Sequence, residues 1–357
     1  MARSRQITAL AALSCRFPKF AFKHSPPLAS SARHFSSTAL NLRHARIPLE
    51  IPPPFPVTKS CPEPGCSCPP TPDLPAPIDH EQALNGTMAA YAQQLLVCTG
   101  QRDWTSRIED DGKGQNWGEL VRGLKGLLGR GGRFADPYNN ILVTNSSFAP
   151  SSPASQTASA FLFPSFKYFP SVPTQSTSST NPDLSTFIQA HLLPIKSRHG
   201  GLTRRQELAA EFPDAVDLRH SPVVLICGHG GRDMRCGVMA PVLEAEFQRM
   251  LRERGFASTG RNGDVVDSPD HAHVGLISHI GGHKYAGNVI VYIPPGMTAG
   301  RDASSSTSHP LAGKGIWYGR IEPKHVQGVV EETILGGRVI ADHFRGGIDR
   351  DGGILRL

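Results

Sequence analysis

The chain has 357 residues, which is long enough for two domains of ordinary size, each with its own hydrophobic core. Its net charge of +7 would favour a nucleic-acid or anionic membrane partner if the charge were spread evenly. Eight Lys and Arg residues precede position 47 and no acidic residue precedes Glu50, so the remainder carries about −1. This distribution argues against a nucleic-acid partner. No run approaches the ~20 apolar residues of a membrane-spanning helix, which argues against a membrane span.

Residues 1–46 are rich in Arg and Ser, free of acidic residues before Glu50 and only moderately apolar, a composition typical of mitochondrial transit peptides. Residues 33–37 (Arg-His-Phe-Ser-Ser) resemble an Arg-x-Phe/Ser processing site, which predicts cleavage after Phe35. The alternative is a basic tail that binds anionic surfaces. We therefore expect a soluble protein of the mitochondrial matrix or intermembrane space.

Composition divides the rest of the chain into four segments: a Pro-rich arm over 47–79, a first domain over 80–195, a linker over 196–213 and a second domain over 214–357. The Ser/Thr/Pro/Gln stretches 149–159 and 171–181 predict loops within the first domain, because they lack the apolar residues that fill a core.

The sequence of the first domain predicts a mixture of strands and helices. Short apolar runs predict strands over 95–98, 140–144 and 160–163, and helical spacing predicts helices over 117–128 and 184–193. The second domain repeats this order, with strands predicted over 222–226, 274–277, 288–293 and 316–318 and helices over 243–251 and 326–334. Such an order sandwiches a small sheet between helices. The pattern predicts an α/β protein with two related thioredoxin-like domains.

Seven cysteines in a mitochondrial protein of this size do not indicate a disulfide scaffold. Three of them, Cys61, Cys66 and Cys68, crowd the Pro-rich arm. Two others, Cys227 and Cys236, bracket a Gly-rich loop between a predicted strand and a predicted helix. This clustering indicates metal or redox chemistry at particular places.

Cys227 and Cys236 are separated by eight residues, too many for a C-x-x-C dithiol and more than the ~2–4 usual in zinc knuckles. The start of a helix, together with Arg232 and Arg235, favours a thiolate and any anionic group bound to it. His229 also lies in this loop, and we interpret it as a histidine that bonds to nearby backbone.

His279 and His283 flank a Gly-Gly pair, and each glycine would cost roughly 1 kcal/mol inside a helix, so we predict a loop. A loop after a strand lets two imidazoles converge on one centre. Two thiolates and two imidazoles suit either tetrahedral zinc or a [2Fe–2S] cluster with histidines on one iron. The residues alone leave this choice open.

Several segments resemble the sucrase/ferredoxin-like family: CPEPGCSC (61–68), LNGTMAAYAQQLLVCTGQRDWTSRIE (84–109), CGHGGRDMRCG (227–237), SHIGGHKYAGNVIVY (278–292), IWYGRIEPKHV (316–326), EETILGGRVI (331–340) and HFRGG (343–347). The resemblance implies that the C-terminal domain is a thioredoxin-like ferredoxin. It also implies a [2Fe–2S] cluster whose ligands are Cys227, Cys236, His279 and His283.

From this resemblance we expect a mitochondrial [2Fe–2S] electron-transfer protein with protein redox partners, a role in redox homeostasis and no substrate site of its own. Imidazole donates less charge than thiolate, so the histidine-bound iron should be the one reduced, by proton-coupled one-electron transfer. Two alternatives remain open: a zinc-stabilised protein-binding module, and a thiol oxidoreductase that uses Cys61, Cys66 and Cys68.

Overall fold

The structure, a computed structural model, describes residues 52–65, 67–151, 156–176, 182–197, 200–258, 265–299 and 307–357. The predicted leader (1–46), with its cleavage point after Phe35, lies outside the described residues, as does Cys66. Residues 51–357 form one compact unit.

The strands are β1 Val57–Thr58, β2 Gln93–Cys98, β3 Ile141–Ser146, β4 Thr157–Phe163, β5 Lys167–Pro173, β6 Val216–Asp217, β7 Val223–Cys227, β8 Ala257–Ser258, β9 His271–Ile277, β10 Val289–Ile293, β11 Lys314–Tyr318, β12 Val339–Ile340, β13 Phe344–Ile348 and β14 Ile354–Leu355. The helices are α1 Asn116–Leu128, α2 Leu184–Phe187, α3 Met234–Glu253 and α4 Pro323–Gly328. Single π-helical stretches, Ile188–Leu192 and Val329–Leu335, continue α2 and α4.

A 12-stranded mixed sheet is the centre of the fold, so the predicted α/β class is confirmed. Its strand order is β14-β13-β11-β10-β7-β9-β3-β2-β4-β5-β6, and β8 pairs with β9. β1 and β12 form a separate pair of parallel strands. No helix in the described part of the chain has the length and apolar character needed to cross a bilayer.

The same strand arrangement occurs twice in the sheet. In the N-terminal half, α1 connects the parallel strands β2 and β3, and β4 and β5 then pair antiparallel on the other side of β2. In the C-terminal half, α3 connects the parallel strands β7 and β9, and β10 and β11 follow in the same way on the other side of β7. A helical crossover is the usual solution for parallel neighbours, which explains why each half needs its helix.

The two halves join edge to edge through β3 and β9. Ser146 lies opposite Ile277, the Ser147 N–H donates to the Leu276 carbonyl at 2.9 Å, and the Ser278 N–H donates to the Asn145 carbonyl at 2.9 Å. This junction extends the backbone ladder beyond a single residue pair. It places the loop that follows β9 beside the N-terminal half of the sheet.

Two predicted loops are wrong at their edges. Residues 157–159 belong to β4 and residues 171–173 belong to β5, where Thr157 lies opposite Pro173 and Ala158 opposite Val172. These segments contain mostly small and polar residues, so their sequences do not show the apolar pattern that predicts a strand. Ala158 and Val172 are nevertheless buried, because the helix side of the sheet covers them.

Candidate functional site

The two loop cysteines lie where a strand ends and a helix begins. Cys227 is the last residue of β7, and its N–H donates to the Asn288 carbonyl at 2.9 Å. Cys236 lies in the first turn of α3, which Asp233 caps by accepting from the Arg235 N–H at 3.0 Å. Both thiols are free and almost fully buried. The fold therefore brings together two cysteines that the sequence separates by a Gly-rich loop.

The two thiols form a hydrogen-bonded pair with unequal acidity. The contact with Cys236 holds the pKa of Cys227 well below its usual range, against the effect of burial and with help from a hydrogen bond to His279. The same contact, followed by burial, raises the pKa of Cys236. The pair therefore favours a thiolate on Cys227 and a thiol on Cys236.

The segment between the two histidines is a loop, as predicted, and His283 begins a short 3₁₀ turn, His283–Tyr285. Gly281 has a φ of +84° and Gly282 a φ of +75°, and these left-handed conformations exclude a continuous helix between the imidazoles. The ring centroids of His279 and His283 are 5.3 Å apart. His283 Nε2 lies 3.8 Å from Asp233 Oδ2, while its Nδ1 is buried and has no hydrogen-bond partner among the described residues.

His229 connects the cysteine loop to the histidine loop and to the N-terminal half. Its Nδ1 accepts from the His279 N–H at 2.9 Å, and its Nε2 lies 2.8 Å from the Thr105 carbonyl and 3.1 Å from the Trp104 carbonyl. Nε2 must therefore be the protonated nitrogen, because carbonyl oxygens only accept. The interpretation of His229 as a histidine bonded to backbone is confirmed.

Arg345 is a site residue that sequence reasoning missed. Its guanidinium is buried beneath the histidine loop, where it donates to the Gly281 carbonyl at 3.1 Å and to Asn288 Oδ1 at 2.7 Å. Burial lowers its pKa to about 10, and the negative charge of Cys227 opposes that effect. A buried cation here stabilises thiolate. Its position in the HFRGG segment was the only sequence signal, and it lies far along the chain from both loops.

The Pro-rich arm crosses the rim of the site. Arg235 Nη1 donates to the Pro77 carbonyl at 2.9 Å, and Lys284 Nζ forms an ion pair with Asp79 at 2.8 Å. Each contact is made by the immediate neighbour of a candidate ligand, Cys236 or His283. The arm thus holds both loops from the outside.

Cys61 of the Pro-rich arm does not have the acidity of a reactive thiol. Burial raises the pKa of Cys61 to about 12, and its S–H donates to the His325 carbonyl at 3.6 Å. Such a thiol stays protonated near neutral pH, whereas thiol chemistry needs thiolate. Cys66 lies outside the described residues.

Within the described ranges, no group of three or more His, Cys, Asp and Glu side chains is arranged to hold a metal ion. The four candidate ligands instead form two pairs. One is the thiol pair, which has a hydrogen bond to His279, and the other is the imidazole pair.

Comparison with known proteins identifies relatives over most of the chain. The chain is 30% identical over 305 residues to altered inheritance of mitochondria protein 32 of Debaryomyces hansenii, covering 81% of this chain and 95% of that protein. It is 31% identical over 306 residues to the protein of the same name from Meyerozyma guilliermondii, covering 80% and 94%. A shorter match, 31% over 131 residues, covers 37% of this chain and 35% of actin patches distal protein 1 of Saccharomyces cerevisiae. No solved structure matches the chain significantly.

The prediction of a [2Fe–2S] electron-transfer protein of mitochondrial redox homeostasis is wrong. The described residues offer no group of three or more His, Cys, Asp and Glu side chains around one metal ion, and the two relatives that match over most of their length are named for mitochondrial inheritance rather than for electron transfer. The zinc-stabilised module fails for the same geometric reason, and the raised pKa of Cys61 argues against the thiol oxidoreductase.

The error arose because the family resemblance, and not the residues themselves, supplied the electron-transfer function. The resemblance itself is confirmed. The family model described as sucrase/ferredoxin-like matches residues 84–346, which include both loops and Arg345. The chain belongs to the sucrase/ferredoxin-like family.

Proposed function

We propose that the protein takes part in mitochondrial inheritance and binds a cofactor through Cys227, Cys236, His279 and His283. The observation that carries this proposal is a buried, hydrogen-bonded thiol pair beside the imidazole of His279. The ring of His283, whose buried Nδ1 has no partner among the described residues, lies 5.3 Å from that of His279. A buried polar atom without a partner costs about 1–3 kcal/mol, so a ligand for it would stabilise the site. The names of the relatives support the mitochondrial role.

A [2Fe–2S] cluster is the cofactor that we propose for this centre. A binuclear cluster needs only two protein ligands for each iron, so two separate pairs can serve where three donors around one ion are missing. Cys227 and Cys236 would bind one iron, and His279 and His283 the other. The buried guanidinium of Arg345 favours an anionic occupant. We propose binding alone and attach no electron-transfer activity to the site.

We further propose that the two halves, 80–195 and 214–357, are thioredoxin-like domains, and that the second is the ferredoxin-like domain that holds the cofactor. The repeated order β3-β2-β4-β5 and β9-β7-β10-β11 supports a common ancestor for both. The composition of residues 1–46 supports import into mitochondria.

The test is anaerobic purification of the full chain, with an absorption spectrum and analysis of iron, sulfide and zinc. We expect two irons and two sulfides per chain, as the proposed cluster requires. Cys227→Ala and Cys236→Ala should each abolish iron and sulfide binding, because one iron loses a thiolate. Cys61→Ala is the matched control and should leave both contents unchanged.

Circular dichroism of each variant separates loss of the cofactor from loss of the fold. Reconstituted protein that retains neither iron nor sulfide while folded would refute the cluster. One zinc ion bound per chain would also refute the proposed cluster.

A further inference from the structure

A second concave site lies at the opposite end of β2 from the Cys–His centre. Its walls are the start of β2 at Gln93, the loop 133–139, residues 193–197 and 201–204, and the turn 350–352. The cleft has a volume of about 880 Å³, within the ~300–1,000 Å³ range of small-molecule sites. It shares no residue with the Cys–His centre. We call it the β2 cleft.

The β2 cleft is electropositive. Four cationic side chains line it: Arg133, Lys196, Arg204 and Arg350. Two carboxylates, Asp136 and Asp351, also line the cleft. Asp136 is already engaged, because its Oδ1 accepts from the Tyr138 N–H at 2.8 Å. None of the four cations forms an ion pair with a carboxylate in the described part of the chain. The cleft therefore offers positive charge that an anionic ligand could neutralise.

Arg204 is held in place by the backbone of this wall. Its side-chain Nε donates to the Leu193 carbonyl at 2.9 Å, and its backbone N–H donates to the Pro194 carbonyl at 2.9 Å. Burial lowers the pKa of Arg204, which means that its charge is partly removed from water. A guanidinium fixed in this way can form charge-assisted hydrogen bonds to a carboxylate or phosphate with little loss of side-chain entropy.

The floor of the β2 cleft contains a buried polar group. Gln93 is only 6% exposed, and its Nε2 donates to the Leu192 carbonyl at 3.1 Å. Asn139 Nδ2 donates to the same carbonyl at 2.9 Å, so the floor is fixed from two sides. Gln93 Oε1 is buried and has no partner among the described residues. A ligand group that donates a hydrogen bond would satisfy it.

Apolar side chains complete the lining. Tyr138, Ile195 and Leu202 are 69%, 62% and 56% exposed, and all three line the β2 cleft. They are three of the seven large hydrophobic residues that are exposed in the described part of the chain. Concentrated exposure of this kind marks binding surfaces, whereas single exposed residues need no explanation.

We propose that the β2 cleft binds a small organic anion with a carboxylate or phosphate head group and an apolar body. Arg204 and Arg350 bind the head group, and Tyr138, Ile195 and Leu202 contact the apolar part. The proposal does not depend on the cofactor, because the two sites lie at opposite ends of β2.

The test is isothermal titration of the purified full chain at low ionic strength with two amphipathic anions, octanoate and phenyl phosphate. Inorganic phosphate and benzyl alcohol separate the contribution of charge from that of apolar contact. We expect one site per chain for at least one amphipathic anion, and the anion that binds identifies the head group. Its affinity should fall as salt is added.

Arg204→Gln and Arg350→Gln should each weaken binding about tenfold, the size expected for a lost charge-assisted hydrogen bond. Arg350 is exposed, so its variant tests the site even if Arg204→Gln fails to fold. Arg252→Gln, an exposed arginine of α3 outside the cleft, is the control and should bind as the unmodified chain does. Absence of heat with both anions would overturn the proposal. Equal affinity for inorganic phosphate or benzyl alcohol, or equal loss in the Arg252 variant, would overturn it too.

Discussion

Two adjacent glycines between the candidate histidine ligands have different surroundings. Both have left-handed backbone conformations, with φ values of +84° at Gly281 and +75° at Gly282. A Cβ at Gly281 would meet nothing within 4 Å, whereas a Cβ at Gly282 would collide with the guanidinium of Arg345. Gly282 is thus required for close approach to Arg345 as well as for its backbone angle.

We expect Gly282→Ala to destabilise the protein by about 2–4 kcal/mol, since backbone strain and displacement of a buried guanidinium add together. Gly281→Ala is the matched control and should cost only about 1 kcal/mol, from backbone strain alone. Urea unfolding followed by circular dichroism measures both. Equal losses would show that the contact with Arg345 contributes nothing.

At the scale of elements, the Pro-rich arm behaves as part of the C-terminal half. β1 pairs in parallel with β12, and the Val339 N–H donates to the Pro56 carbonyl at 2.9 Å. Phe55 is buried, and its ring lies 5.8 Å from that of Phe344 in an edge-to-face arrangement. The arm therefore adds a strand and an aromatic anchor to a region far along the chain.

Phe55→Ala should lower the free energy of unfolding by about 3 kcal/mol, the lower end of the cost of truncating a buried phenylalanine. The measurement is urea unfolding at neutral pH. Lys59→Ala, at an exposed position of the same arm, should change stability by less than about 0.5 kcal/mol. An arm that is only loosely attached would give the same small change for Phe55→Ala.

At the scale of the whole molecule, three buried histidines make stability depend on pH. Burial lowers the pKa values of His191, His273 and His309 to about 4 each. In the unfolded chain a histidine titrates near pH 6.5. Between pH 6.5 and 4 the unfolded chain therefore binds more protons, so the stability of the fold is lost as pH falls through this window.

We expect the free energy of unfolding to fall by about 1–2 kcal/mol for each of these histidines between pH 7.5 and pH 5. Urea titrations at the two pH values measure the difference. His191→Leu should make the difference between the two pH values smaller by the contribution of one histidine, about 1–2 kcal/mol. His191 packs against Phe169 and Phe187, and its Nε2 has no partner among the described residues, so leucine can replace it without losing a hydrogen bond. Identical stability at both pH values would contradict the assignment of these histidines as buried and neutral.

The sequence by itself determined the local features of this protein. Apolar runs predict most of the central strands, because a buried strand needs little beyond its own residues to be recognised. The Gly-Gly pair predicts the loop between His279 and His283, since glycine disfavours a helix there and permits positive φ. The motif segments predict the family.

Only the tertiary structure decided what depends on contacts between distant residues. The β3–β9 junction makes one sheet from two halves, His229 bonds to the loop after β2, and Arg345 reaches the histidine loop from β13. The strands at 157–159 and 171–173 needed their partners to be recognised. Sequence motifs predicted the four candidate ligands, but only the distances between their side chains in the folded protein decide whether they surround one ion. Within the described residues no three such donors surround one ion, and that finding, together with the names of the relatives, overturned the electron-transfer prediction.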